Sequence, residues 1–153
     1  MQISGIFLFI SLITCVIDAE ASAGTAFNFQ DTTIITSAKN KKLEWLTLAE
    51  AEAKMASQKK DILIDLYTDW CGWCKVMDKN TYTNPAVVQY IHDKFYPVKL
   101  NAETKEILTW RGKQFKYNDQ YRVHDYAVLL TGGQLSYPST VILPVDGSAP
   151  QVI

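Results

Sequence analysis

The segment from Ile62 to Cys74 constrains the fold more than any other part of the chain. It reads Ile62-Leu63-Ile64-Asp65-Leu66-Tyr67, then Thr68-Asp69-Trp70, then Cys71-Gly72-Trp73-Cys74. The first six residues form an apolar run too short for a helix and bounded by charge, which predicts a strand buried on both faces. Asp65 is the one residue in it that is charged at neutral pH. From Cys71 to Lys79 the sequence can continue as a helix, so the two cysteines fall where a buried strand gives way to a helix N-terminus.

The flanking elements follow from local signals. Thr47-Leu48-Ala49-Glu50 fits a capping box, with Leu48, Ala51 and Met55 on one face of a first helix until Ser57-Gln58-Lys59-Lys60 breaks the pattern. Asn84-Pro85 supplies a cap and a first-turn proline for a helix over 86–94, with Val87, Tyr90 and Ile91 expected inward. Phe95 to Leu100 reads as the next strand, and the order helix, strand, helix, strand implies parallel pairing through a crossover. Ile107–Trp110 and Gln114–Tyr117, separated by Arg111-Gly112-Lys113, predict a β-hairpin. His124 to Leu130 reads as a short helix closed by Gly132-Gly133, and Thr140 to Leu143 as a strand ended by Pro144 and the turn Asp146-Gly147. Gln151-Val152-Ile153 would begin one more strand. His124 is expected as a cap or surface residue, and Tyr117, Tyr121 and Tyr126 as packing residues. There is no internal repeat.

With 48% hydrophobic and 12% aromatic residues, 153 residues can build one domain-sized core without metal. Residues 1–23 hold no Lys or Arg and two acids, Asp18 and Glu20, which leaves 15 basic against 14 acidic residues in the rest. Such a balanced surface makes no electrostatic case for nucleic acid or anionic lipid. The apolar run Ile6–Ile17 followed by Ala21-Ser22-Ala23 has the layout of a secretory signal peptide over 1–23, although the basic start is missing. The run is shorter than the roughly 20 residues a membrane span needs, so no stable membrane insertion is expected after cleavage. An uncleaved anchor or a buried first helix is the alternative. Leu12-Ile13-Thr14-Cys15 only loosely resembles a lipoprotein box, because Thr14 is a poor fit, and anchoring at Cys15 is not expected. Residues 24–42 read as an extended lead-in and 43–153 as the folded domain.

With Cys15 removed by cleavage, the exported chain would hold only Cys71 and Cys74. A disulfide between residues i and i+3 fits the first turn of a helix, whose amide groups and dipole favour a thiolate on the first cysteine. Cys71 is therefore the expected attacking group, and Cys74, one turn on, is placed to resolve a mixed disulfide. Gly72 allows close approach by a partner chain, and Trp73 adds apolar surface. Three other uses of the pair stay open: a structural disulfide, inert thiols, or part of a zinc site. The zinc reading is weakened because His92 and His124 lack metal spacing to the cysteines.

The segment DLYTDWCGWCK resembles the active site of the thioredoxin-like family, and most closely that of exported bacterial members similar to the C-terminal domain of DsbD. The resemblance covers about residues 43–146 and implies an α/β thioredoxin fold, a central mixed sheet flanked by helices, here with an inserted β-hairpin. The fold's last strand and C-terminal helix would be cut short in this chain. It also implies a thiol-disulfide oxidoreductase that needs no cofactor and no metal. Its partners would be protein thiols and disulfides and an upstream electron-donor or acceptor protein, in a periplasmic location. Cys71 and Cys74 would be the redox pair.

Asp65 would be a buried carboxylate that exchanges the proton of Cys74, and Lys99 the lysine approaching it. Trp70, Tyr137 and a cis Pro138 would contact substrate together with Gly72 and Trp73. Plainer roles stay open for each: a structural ion pair for Asp65, a solvated strand end for Lys99, an ordinary turn for Pro138 and core packing for Trp70. Gly-Trp between the cysteines, where thioredoxin has Gly-Pro, leaves the direction of reaction open between reductant, the favoured sense, and oxidase or isomerase. A non-catalytic binding module using the hairpin is a further alternative.

Overall fold

The computed structural model describes residues 42–153. The expected signal peptide over 1–23, Cys15 and all but the last residue of the expected lead-in lie outside them. The first described element is α1 (Leu48–Ser57), which starts in the expected capping box: the Thr47 hydroxyl accepts from the Glu50 amide at 3.2 Å, and the Glu50 carboxylate accepts from the Thr47 amide at 2.7 Å. These bonds hold the Glu50 carboxyl below its ordinary value.

Strand β1 (Asp61–Tyr67) is buried along its five interior residues because it is central in the main sheet. That sheet runs β2-β1-β7-β8. Strand β2 (Phe95–Asn101) pairs parallel to β1 with Asp65 opposite Lys99, and β7 (Ser139–Leu143) pairs antiparallel with Asp65 opposite Thr140. Strand β8 (Gln151–Val152) adds antiparallel to β7, while an isolated bridge from Leu46 to Val98 lies against the outer side of β2. The crossover between β1 and β2 is carried by α2 (Gly72–Asn80) and α3 (Pro85–Lys94). This mixed α/β architecture is the thioredoxin-type fold the sequence predicts.

Side-chain alternation along β1 sorts the core into two clusters. Ile62, Ile64 and Leu66 join Leu48 and Ala51 of α1 and Tyr126, Ala127 and Leu130 of α4 (Asp125–Thr131). Leu63 joins Leu43, Tyr82, Val88 and Ile91. Inward positions on α3 differ from expectation. Val88 and Ile91 are buried and Val87 packs beside them, whereas Tyr90 is 60% exposed. The helix presents its Val88–Ile91 row to the sheet, which turns Tyr90 outward against the rim of Phe95.

The predicted hairpin forms between β3 (Leu108–Trp110) and β4 (Lys113–Phe115), but with a shorter turn. Trp110 pairs with Lys113, so the turn is Arg111-Gly112, both at positive φ (50° and 76°), as tight two-residue hairpins require. Tyr117 leaves the hairpin and pairs with His124 in a second small ladder, β5 (Tyr117–Asn118) with β6 (Val123–His124). The hairpin is part of the core. Phe115 is buried, Leu108 and Trp110 pack beside it, and the Arg111 amide donates to Glu52 on α1 at 2.8 Å. His124 is the N-cap of α4 and is fully buried, its Nδ1 accepting from the Tyr126 amide at 3.1 Å and its Nε2 facing the Glu106 carbonyl at 3.1 Å. Gly132 ends that helix in the left-handed conformation, with the Gly133 amide returning to Val128 O at 2.9 Å.

Candidate active site

The two cysteines sit where β1 hands over to α2. After Tyr67 the chain turns through Thr68-Asp69-Trp70, closed by the Cys71 amide donating to Thr68 O at 3.1 Å and braced by Asn101 Nδ2 donating to Asp69 at 3.1 Å. Cys71 is the N-cap of α2, its sulfur accepting from the Cys74 amide at 3.0 Å. Cys71 and Cys74 are joined in a disulfide with Cα atoms 5.3 Å apart. Both are buried, at 4% and 3% exposure, so accessibility does not rank them. Position does: the Cys71 sulfur stands at the end of the helix where amide hydrogens point outward and an anion is stabilised.

Around the pair lies an exposed aromatic rim. Trp70 is 67% exposed and Trp73 is 74% exposed, which rules out core packing for either. Trp70 is oriented rather than loose, because its indole nitrogen donates to Glu103 at 3.0 Å and its ring meets Tyr137 edge-on at 5.8 Å. That contact brings the Tyr137-Pro138 loop beside the residue preceding Cys71. The Tyr137–Pro138 peptide is cis. Gly72 has open space around its α-carbon, where a side chain would meet nothing within 4 Å.

On β1 and its neighbours is a charged group that the strand register assembles. Asp65 is 1% exposed, and Lys99 Nζ from the neighbouring strand lies 3.3 Å from its Oδ2. Burial pushes the Asp65 carboxyl above its ordinary value, and the Lys99 ammonium pulls it part of the way back. Lys99 also bonds Asp78 on α2, and its ammonium lies over the rings of Trp45 (5.3 Å) and Tyr67 (5.1 Å). Tyr82, packed edge-on against Trp45 at 4.8 Å, completes the group, its phenol pushed upward by burial and then by the nearby Asp65. Lys99 is thus a half-buried bridge between two carboxylates and not a solvated strand end.

Sequence reasoning named Cys71, Cys74, Asp65, Lys99, Trp70, Gly72, Trp73, Tyr137 and Pro138. It did not name Asp78, Tyr82, Trp45 or Glu103. Asp78 had a signal, since it lies four residues after Cys74 and so shares its helical face. The others are brought in by packing between segments. Among the described residues, no group of three or more His, Cys, Asp or Glu side chains is placed to hold a metal ion.

This part of the mixed α/β fold thus carries a disulfide at a strand-to-helix junction, an exposed aromatic rim beside a cis-proline loop, and a buried carboxylate on the preceding strand. The family model described as thioredoxin-like matches residues 44–144, and the chain belongs to that family. Curated relatives match over shorter stretches. The thiol:disulfide interchange protein DsbD of Actinobacillus pleuropneumoniae is 50% identical over 44 residues, 28% of this chain, and that of Haemophilus ducreyi is 46% identical over 46 residues, 29% of this chain. In each case the match covers 8% of the relative's own length. Among solved structures, one titled DsbH oxidoreductase superposes with a TM-score of 0.54 at 18% identity, covering 82% of this chain and 80% of the other, a likeness of fold.

Proposed function

We propose that this protein is a thiol-disulfide oxidoreductase that reduces disulfides in exported proteins through Cys71 and Cys74. The observation that carries the reading is the cysteine pair at the α2 N-terminus, six residues after the buried Asp65 in the same strand-to-helix unit. In the reduced protein the Cys71 thiolate, favoured by the helix end, attacks a substrate disulfide; a sulfur–sulfur bond forms to Cys71 and the first substrate thiolate leaves. Cys74 then gives its proton to the Asp65 carboxylate and attacks the Cys71 sulfur. The internal disulfide forms, the second substrate thiolate leaves, and two electrons have passed to the substrate. An upstream donor protein returns the pair to the dithiol.

The roles of the surrounding groups follow from their positions. Trp70, Trp73, Gly72 and the Tyr137-Pro138 loop form the surface against which a substrate segment lies. Lys99 holds the Asp65 carboxylate ready to accept a proton that burial alone would bind too early. The signal-like residues 1–23 and the kinship with DsbD support export to a periplasm-type compartment, and no helix of the described residues is long and apolar enough to cross a membrane.

Insulin reduction driven by a small dithiol tests this reading. Cys71→Ser is expected to lose turnover, and Cys74→Ser to accumulate a mixed disulfide on Cys71 detectable by mass spectrometry. Wild-type turnover in Cys71→Ser would refute it.

A further inference from the structure

Asp65 has two carboxylate oxygens, and the structure serves only one of them. Oδ2 faces Lys99, while Oδ1 is buried with no hydrogen-bond partner among the described residues. Tyr82 shows the matching deficit: its side chain is 5% exposed, and its hydroxyl is also buried without a partner there. An unpaired buried donor and an unpaired buried acceptor are each costly, and more so when the acceptor is charged.

The two groups belong to the same side of the sheet. Alternation along β1 sends Leu63 and Asp65 to one face, and Tyr82 packs against Leu63 in the cluster on that face. The edge-on contact with Trp45 steadies the Tyr82 ring on this side of the sheet, so a small shift of the side chains, together with rotation of the O–H, is what would bring the hydroxyl to Oδ1. Each group also bears on the protonation of the other.

We propose that Tyr82 is a positioning residue for proton exchange at Asp65, its hydroxyl donating to Oδ1 when the carboxylate is ionised, so that the anion is held between Lys99 and Tyr82. This rests on the oxidoreductase reading above. The reason for the state dependence is that a hydrogen bond to an anion is roughly twice as strong as one to a neutral acid. Tyr82 keeps its proton at neutral pH, as any phenol does and the more so for being buried, so its hydroxyl can donate to the carboxylate. The other groups that face Asp65 are Lys99 from β2, Asp78 from α2 and Tyr67 from its own strand, while Thr140, its register partner on β7, bears on the Tyr82 hydroxyl instead. Lys99 opposes proton uptake by Asp65 and Asp78 favours it. Tyr82 adds to the Lys99 side of that balance, which keeps Asp65 ionised and able to take the Cys74 proton.

Tyr82→Phe removes one oxygen and keeps the ring and its Trp45 contact. The test is a ¹³C carboxyl NMR titration of the full oxidised chain, with the Asp65 signal assigned by its loss in Asp65→Asn, paired with the pH profile of insulin reduction. In Tyr82→Phe the Asp65 midpoint is expected to rise by about one pH unit, and the acid limb of the rate profile to move the same way with the alkaline plateau unchanged. An Asp65 midpoint that does not move overturns the proposal, whatever the activity. A moved midpoint with an unmoved rate profile overturns the positioning role and also counts against Asp65 as proton acceptor. Absence of turnover in the wild type, with the midpoint still moved, would instead mark failure of the redox reading alone.

Discussion

On one face of β1, Ile62, Ile64 and Leu66 share a cluster with α1, α4 and the β3–β4 hairpin; on the other, Leu63 and Asp65 meet α3, Tyr82, Lys99 and Asp78. The first face is mostly apolar, with His124 and the Tyr126 hydroxyl as buried polar exceptions. The second brings a carboxylate, an ammonium and a phenol together on the strand that leads into the disulfide, and leaves two of their polar atoms unpaired. Because successive side chains alternate, a single seven-residue strand serves both. What the difference teaches is that the first face sets how firmly the strand is held, and the second uses that firmness to keep a charge where it would not otherwise stay.

The contrast can be broken most strongly from the apolar side. Ile64→Ala should destabilise the fold by about 2–5 kcal/mol, since a fully buried side chain leaves a cavity in a packed cluster. Chemical denaturation measures the loss, and turnover per folded molecule should be unchanged.

Asp65→Asn should do the reverse. Turnover is expected to fall by about 100-fold, within the range that proton-transfer groups contribute, while the protein becomes more stable at neutral pH. The sign follows from the raised carboxyl: the folded state keeps the Asp65 proton to higher pH than the unfolded chain does. Its contribution to stability is whole below the unfolded value near 3.8 and declines as pH rises through the folded one. Denaturation midpoints of wild type and Asp65→Asn should therefore diverge with increasing pH above that value. A constant difference would mean that Asp65 is not buried as an acid.

His124→Ala tests a polar residue on the apolar side. Losing its cap of α4 and its link to Glu106 should cost about 1–2 kcal/mol, with turnover at the cysteines preserved. The smallest stability effect is expected for Trp73→Ala, within about 0.5 kcal/mol because the side chain is mostly exposed. Its consequence should be a higher KM for protein substrates, with little change toward a small disulfide.

The elements that the sequence reveals most fully are those set by short-range chemistry. The capping box at Thr47, the buried run of β1, the Asn84-Pro85 start of α3 and the Gly132 cap of α4 each rest on residues within a turn or two of one another, and each stands as expected. The hairpin turn is one residue shorter than the sequence predicts because Lys113, polar and exposed, looks like loop while its backbone pairs with Trp110. Tyr90 and Val88 exchange roles because both fit an apolar stripe, and only the docking angle of α3 on the sheet selects between them.

At the site the same division holds. Cys71, Cys74 and Asp65 lie within ten residues and are visible as a pattern. Tyr82, Trp45 and Glu103 reach the group from separate segments, and nothing in their local sequence distinguishes them from packing or surface residues. Asp78 sits between the cases, readable as the helical neighbour of Cys74 yet meaningful only once Lys99 crosses from β2 to bond it.

The most direct test of the whole arrangement is the reduction potential of the Cys71/Cys74 couple, measured by equilibration of the protein with glutathione redox buffers. A reversible two-electron couple near thioredoxin's, about −270 mV, is expected of a reductant. A potential near about −120 mV would make the protein an oxidant and contradict the proposed direction, and the absence of any reversible dithiol couple would contradict the redox role itself.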